Sequence, residues 1–135
     1  MEITEREESI REVIDSMESI AKNCDPVEIP LQHYFSKDLY AREITIPKGA
    51  FVVGKIHKYQ NLNILSKGKL ALLSIEGCKI VEAPFTVVSP PGVKRVAYAI
   101  EECVWTTIHS TPETDIEKIE EDVIAKNYDE VAIFK

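Results

Sequence analysis

PKGAFVVGKIHKYQNLNILSKG, residues 47–68, is the stretch on which the fold turns. Its ends, Pro47-Lys48-Gly49 and Ser66-Lys67-Gly68, are turn signals, and between them lie two apolar runs containing β-branched residues. The polar residues Lys55, His57, Lys58, Gln60, Asn61 and Asn63 gather where the two runs meet. The pattern predicts a strand pair with its polar groups near the joint. Pro84 to His109 repeats it: a Pro90-Pro91-Gly92 turn, then Lys94 and Arg95, then a strand ending at His109. Together the two stretches predict a small β-barrel with a polar pocket.

The rest of the chain has to fit around that barrel. A chain of 135 residues is one domain by length, enough to bury about two thirds of its unfolded surface. No run approaches the roughly 18 consecutive apolar residues of a membrane span, so no membrane partner is expected. The acidic start MEITEREESIREVI lacks the apolar core of a secretion signal, and a cytoplasmic protein is expected. Cys24, Cys78 and Cys103 are too far apart for a zinc site and read as reduced thiols.

Charge is distributed unevenly. The chain carries −7 overall, yet between Arg42 and Arg95 nine basic residues face three acids. The acidic balance argues against general nucleic-acid binding, which needs a sustained positive face. A basic middle still allows a local anion site.

N-terminal to the barrel, Ile10, Val13, Ile14, Met17 and Ile20 recur at helical spacing, with Thr4 and Glu7 as a capping box and Asp25-Pro26 as the stop. Leu31 to Ile46 supplies one or two strands, with His33 at a surface or edge. Lys69 to Ile75 and Lys79 to Ala83 read as a hairpin turned at Glu76-Gly77. Val93 to Ile100 and Val104 to His109 read as the last strands. By alternation, Arg95, Ala97 and Ala99 share one face, and Trp105, Thr107 and His109 another. Thr111-Pro112 opens a second helical run with Thr114 and Glu117 as its capping box and Ile116, Ile119, Val123 and Ile124 as its apolar side. The tail Val131 to Phe134 is apolar enough for an edge strand in a homodimer. The resulting division is an N-terminal helix at 1–24, a barrel at 31–110, and a C-terminal helix and tail at 111–135.

The motifs in this order resemble those of the cupin superfamily. Its first motif is a glycine, His-x-His, a glutamate and a closing glycine; here Gly49 opens it, Lys55-Ile56-His57 occupies the His-x-His site, Asn61 replaces the glutamate and Gly68 closes it. Its second motif begins Pro-x-Gly, matched by Pro90-Pro91-Gly92, but Arg95 stands where the histidine belongs and Ala99 where the asparagine belongs. The wording from Tyr40 to Val131 also resembles small cupin-like proteins of tailed bacteriophages, which implies a phage-encoded protein. The resemblance implies a mainly β, double-stranded β-helix (jelly-roll) barrel with a helix at each end. It does not imply the family's metal: of the four usual ligands only His57 remains, and ammonium and guanidinium groups offer a cation no lone pair. Neither a metal nor any other cofactor is expected.

On that alignment Lys55 and His57 point inward about 6 to 7 Å apart, with Arg95 opposite. The candidate ligand-binding set is Lys55, His57, Asn61, Asn63, Arg95, Trp105 and His109, suited to a small anion. A bland reading competes with it: His57 as a satisfied barrel histidine, Arg95 paired with Glu43 or Glu82, and Trp105 in the core. Three functions remain open at this point. The first is non-catalytic binding of a small anion, in a homodimer; the second is a metal-independent isomerase, epimerase or lyase using His57 or His109 as acid/base. The third is a phage interaction module that engages a host or phage protein through its acidic helices.

Overall fold

The computed structural model describes residues 3–25 and 27–126. Helix α1 (Glu5–Lys22) starts at Thr4, whose hydroxyl accepts from the Glu7 amide at 3.1 Å, as the capping box predicts. Ten strands follow: β1 (Leu31–Ser36), β2 (Leu39–Ile46), β3 (Phe51–Val53), β4 (Ile56–His57), β5 (Asn61–Lys67), β6 (Lys69–Ser74), β7 (Gly77–Glu82), β8 (Phe85–Ser89), β9 (Val96–Ala99) and β10 (Cys103–Ser110). A short helix α2 (Ile116–Val123) leads into β11 (Ile124–Ala125).

The strands build two antiparallel sheets, β1-β2-β10-β5-β8 and β3-β9-β6-β7, plus the ribbon β4-β11. The fold is therefore a mainly β jelly roll with a helix at each end. The two sheets stay separate rather than closing into one continuous ladder. Residues 47–68 form no strand pair: β3 bonds to β9, β4 to β11, and β5 to β10 and β8. The polar group at the joint marks a crossing between sheets, which a hairpin pattern in the sequence does not distinguish.

Register sorts the interior into layers. Trp105 lies opposite Ile44 and Leu65, and these belong with Ile46, Leu70, Leu72, Val81, Ala99 and Cys103 to one apolar core. Two residues along each strand, Thr107 lies opposite Arg42 and Asn63; two further on, His109 lies opposite Tyr40. Alternation turns all of these side chains inward, and their order along the strands makes one end of the sandwich apolar and the other polar. Gly68, between β5 and β6, has φ +90°, and a Cβ there would collide with the backbone of Glu102 and with Cys103 Sγ. Only glycine suits that joint.

The helices close the outside and the polar end. Helix α1 packs across β3 and β6 and buries Ile14 completely. Val13 and Ile20, assigned by periodicity to the same stripe, are instead exposed (51% and 60%), because only a narrow stripe meets the strands. Helix α2 begins later than the sequence suggests, and Asp115 rather than Thr114 caps it, accepting from the amides of Glu117 and Lys118. Ile119 and Val123 pack on Tyr40 over the polar end, while Ile124 leaves the helix to pair with His57. The predicted tail strand, Val131 to Phe134, lies outside the described residues.

Candidate functional site

A chain of side-chain hydrogen bonds spans the polar end between the sheets. Thr107 Oγ1 donates to Asn63 Oδ1 at 2.7 Å, and Asn63 Nδ2 donates to Asn61 Oδ1 at 2.8 Å and to Ser89 Oγ at 2.7 Å. Arg95 Nη1, from the loop just before β9 of the other sheet, donates to the same Ser89 oxygen at 2.6 Å. The Arg95 backbone is fixed as well, since its carbonyl accepts from the Gly54 amide at 2.8 Å and a Cβ at Gly54 would lie 3.2 Å from that oxygen. Arg95 is therefore held at both ends. Burial lowers its pKa and Glu76 partly offsets this, but a guanidinium remains a cation. Its carboxylate contact is Glu76, at 3.5 Å from Nη2, and not Glu43 or Glu82. The β6–β7 turn carries Glu76 there.

Beside this network runs a stack of rings. His57 and His109 lie face to face at 5.1 Å (18°), His109 stacks on Tyr40 at 6.0 Å, and Tyr40 on His33 at 5.7 Å. His33 Nδ1 and the Tyr40 hydroxyl share a 2.6 Å hydrogen bond. His57 Nδ1 is buried without a hydrogen-bond partner among the described residues. Burial first, then His109, Arg42 and Arg95, lower the His57 pKa to about 4; burial and Arg42 also lower that of His109. Both imidazoles are neutral near pH 7, and the positive field around them comes from the two arginines.

Arg42 was absent from the sequence-derived set. It sits on β2 in alternation with the inward residues Tyr40, Ile44 and Ile46, and a period-two reading of that strand is the signal that finds it. Among the described residues no carboxylate lies within ion-pair distance of it. Ser89 was missed too; as the last residue of β8 opposite Asn61 it has no motif to announce it.

Of the predicted residues, the structure brings together Arg95, Asn61 and Asn63 in the network and His57 with His109 in the stack. Lys55 is solvent-exposed, where its charge reaches Glu18 of α1. Trp105 packs against the apolar core. Two hollows open near this end. One, of about 320 Å³, lies between α2 and the β4–β5 turn and is lined by Tyr59, Gln60, His109 and Asp122. The other, of about 200 Å³, is lined by Arg95, Ser74, Glu76, Lys79, Leu72 and Phe85.

The donor set does not suit the metal of metal-dependent cupins. At the positions the motifs assign to ligands stand an exposed Lys55, His57, a hydrogen-bonded Asn61 and the cationic Arg95. Among the described residues no three His, Cys, Asp or Glu side chains group as metal ligands. A cation would also meet the field of Arg42 and Arg95.

No protein-family model and no curated protein sequence matches the chain. Solved structures do. An RmlC-like cupin with a double-stranded β-helix fold from Methanocaldococcus jannaschii superposes with TM-score 0.54 at 14% identity, over 71% of this chain and 89% of its own. The Cnp3 cupin domain of Schizosaccharomyces pombe gives 0.53 at 15% identity over 70% and 74% of the two chains. An acetylacetone dioxygenase from Acinetobacter johnsonii gives 0.51 at 18% identity over 61% and 59%. The chain is similar to cupins in fold, and these neighbours share no single activity.

Proposed function

We propose that this cupin-like protein binds a small anion at the polar end of its sandwich without a metal. The observation that carries the reading is Arg95. It is largely buried (15% exposed), fixed through Ser89 to the asparagine network, and stands where the motif would otherwise supply a metal-binding histidine. Arg42 faces the same end, and the neutral His57 and His109 add hydrogen-bonding capacity without repelling an anion. Charge-assisted bonds are worth about 1.5 to 3 kcal/mol each, so contacts from the two arginines contribute substantially to holding a small ligand. Thermal-shift measurement across a panel of carboxylates, phosphates and nucleotides tests this. Stabilisation of the wild type that is lost in Arg95→Gln supports it; a silent panel overturns it.

A second reading has one specific observation in its favour. His57 is neutral down to about pH 4 and carries an unpartnered Nδ1, so it is available as a base. Turnover of a panel anion that disappears in His57→Gln while binding persists would favour an isomerase- or lyase-type enzyme. The homodimer has a candidate seat on β1, an edge strand exposed along its whole length.

A further inference from the structure

The hollow of about 200 Å³ lies at the open side of the sandwich, between the β6–β7 hairpin and β8, and its walls differ in character. Leu72 and Phe85 make one side apolar. Arg95, Lys79 and Ser74 make the other polar, and Glu76 stands over it from the hairpin tip. Lys79 is exposed, and its ammonium lies over the apolar wall, 5.2 Å from the centroid of the Phe85 ring. The space corresponds to about seven molecules of liquid water, room for a ligand of about ten non-hydrogen atoms.

Arg95 is only half engaged. Nη1 has a short bond to Ser89, but among the described residues Nη2 has Glu76 alone, at 3.5 Å. A charge-assisted N–H···O⁻ bond is normally about 2.7 to 2.9 Å, so Glu76 approaches the fork without closing on it. Its side chain is 58% exposed and rides on a turn, where moving aside needs no repacking. A carboxylate thus already sits at the mouth of the hollow, on the largely buried guanidinium that a ligand carboxylate would seek.

We propose that this hollow takes a small amphipathic carboxylate, its charge on Arg95 and its apolar body against Leu72 and Phe85, and that Glu76 holds the ligand's place on Arg95 until displaced. The proposal rests on the anion-binding reading and specifies it. Inorganic phosphate is the poorer match, because half of the wall offers its oxygens no donor. Glu76 sets selectivity and affinity together: it repels any incoming anion, so only one that gains from the apolar wall as well displaces it.

The test is a chemical-shift titration with benzoate and, separately, inorganic phosphate, on the wild type, Glu76→Gln, Arg95→Gln and Arg95→Lys. Benzoate is expected to bind the wild type weakly and Glu76→Gln about tenfold more tightly, and to bind more tightly than phosphate. Arg95→Gln should lose binding. Should that variant fail to fold, Arg95→Lys keeps the charge, loses the fork, and is expected to bind at least fivefold more weakly. Phosphate binding without benzoate binding, or equal benzoate affinity in wild type and Glu76→Gln, overturns this proposal and leaves anion binding intact. Silence of both anions on both proteins overturns the proposal and counts against the anion reading itself.

Discussion

At the scale of single residues, His57 has the clearest thermodynamic signature. Its folded pKa of about 4 lies below the ordinary histidine value of about 6.5, so the unfolded chain binds the proton more readily. Stability from this group is present above pH 6.5 and is lost as the pH falls from 6.5 towards 4. The loss at pH 4 amounts to about 2 to 3 kcal/mol. His57→Leu removes both the titration and the unpartnered Nδ1. It should match the wild type or better it at pH 7 and exceed it by about that amount at pH 4, in urea denaturation at the two pH values. Parallel pH profiles would place the proton elsewhere. The sequence marks His57 as a candidate because it keeps its place in a motif, but not the reason for its neutrality. That reason is burial first, and then the nearness of His109, Arg42 and Arg95, which lie far apart in the chain. Residues whose role depends on register, such as Arg42 and Ser89, are legible only after the strands are paired.

Among the elements, α1 shows how a helix can be foreseen and its buried face still misjudged. Thr4, Glu7 and the spacing of Ile10, Ile14 and Met17 define a helix and one side of it. The side that meets the sheet also meets Lys94, a residue outside the helix. Lys94 is almost entirely buried, and its ammonium lies 3.0 Å from Glu18 and 3.6 Å from Asp15. The hydrogen bond from Lys94 is the main cause of the lowered Glu18 pKa. Glu18→Ala leaves the buried ammonium with Asp15 alone and should cost about 1 to 2 kcal/mol. Lys94→Met removes the charge and leaves two carboxylates that can turn to water, so it should cost less, under about 1 kcal/mol. Urea denaturation of the two variants checks the order. The reverse order, with Lys94→Met the more damaging, would mean that the ion pair itself and not the burial of Lys94 holds the helix. The start of helix α2 is ambiguous in the sequence, because Thr114 and Asp115 are both good caps; Asp115 is the one used, with Ile119 and Val123 packed on Tyr40.

For the whole molecule the decisive feature is the edge that β1 leaves open. Every residue of β1 is exposed, including Leu31, Tyr34 and Phe35, and the strand contains neither a charge nor an internal proline to blunt it. The Thr45 amide donates to the Pro30 carbonyl, which makes 30 and 45 a hydrogen-bonded pair and fixes the parity of the hairpin. Gln32, Tyr34 and Ser36 therefore bond inward to β2, and the backbone groups of Leu31, His33 and Phe35 point outward. A second copy laid antiparallel about a two-fold axis at His33 sets each Leu31 opposite the partner's Phe35 and joins both five-stranded sheets into one. Such an interface is isologous, and it covers the apolar side chains that each copy leaves exposed. Sedimentation over micromolar to millimolar concentration should show reversible dimers, and Leu31→Pro, which removes an outward amide without touching the ladder to β2, should weaken them at least tenfold. With Cys24 and Cys78 changed to serine, His33→Cys should form an interchain disulfide on oxidation, since residues in a hydrogen-bonded pair have Cα atoms about 5.5 Å apart. A chain that stays monomeric throughout, or dimers indifferent to Leu31→Pro and without that crosslink, would remove β1 from the assembly.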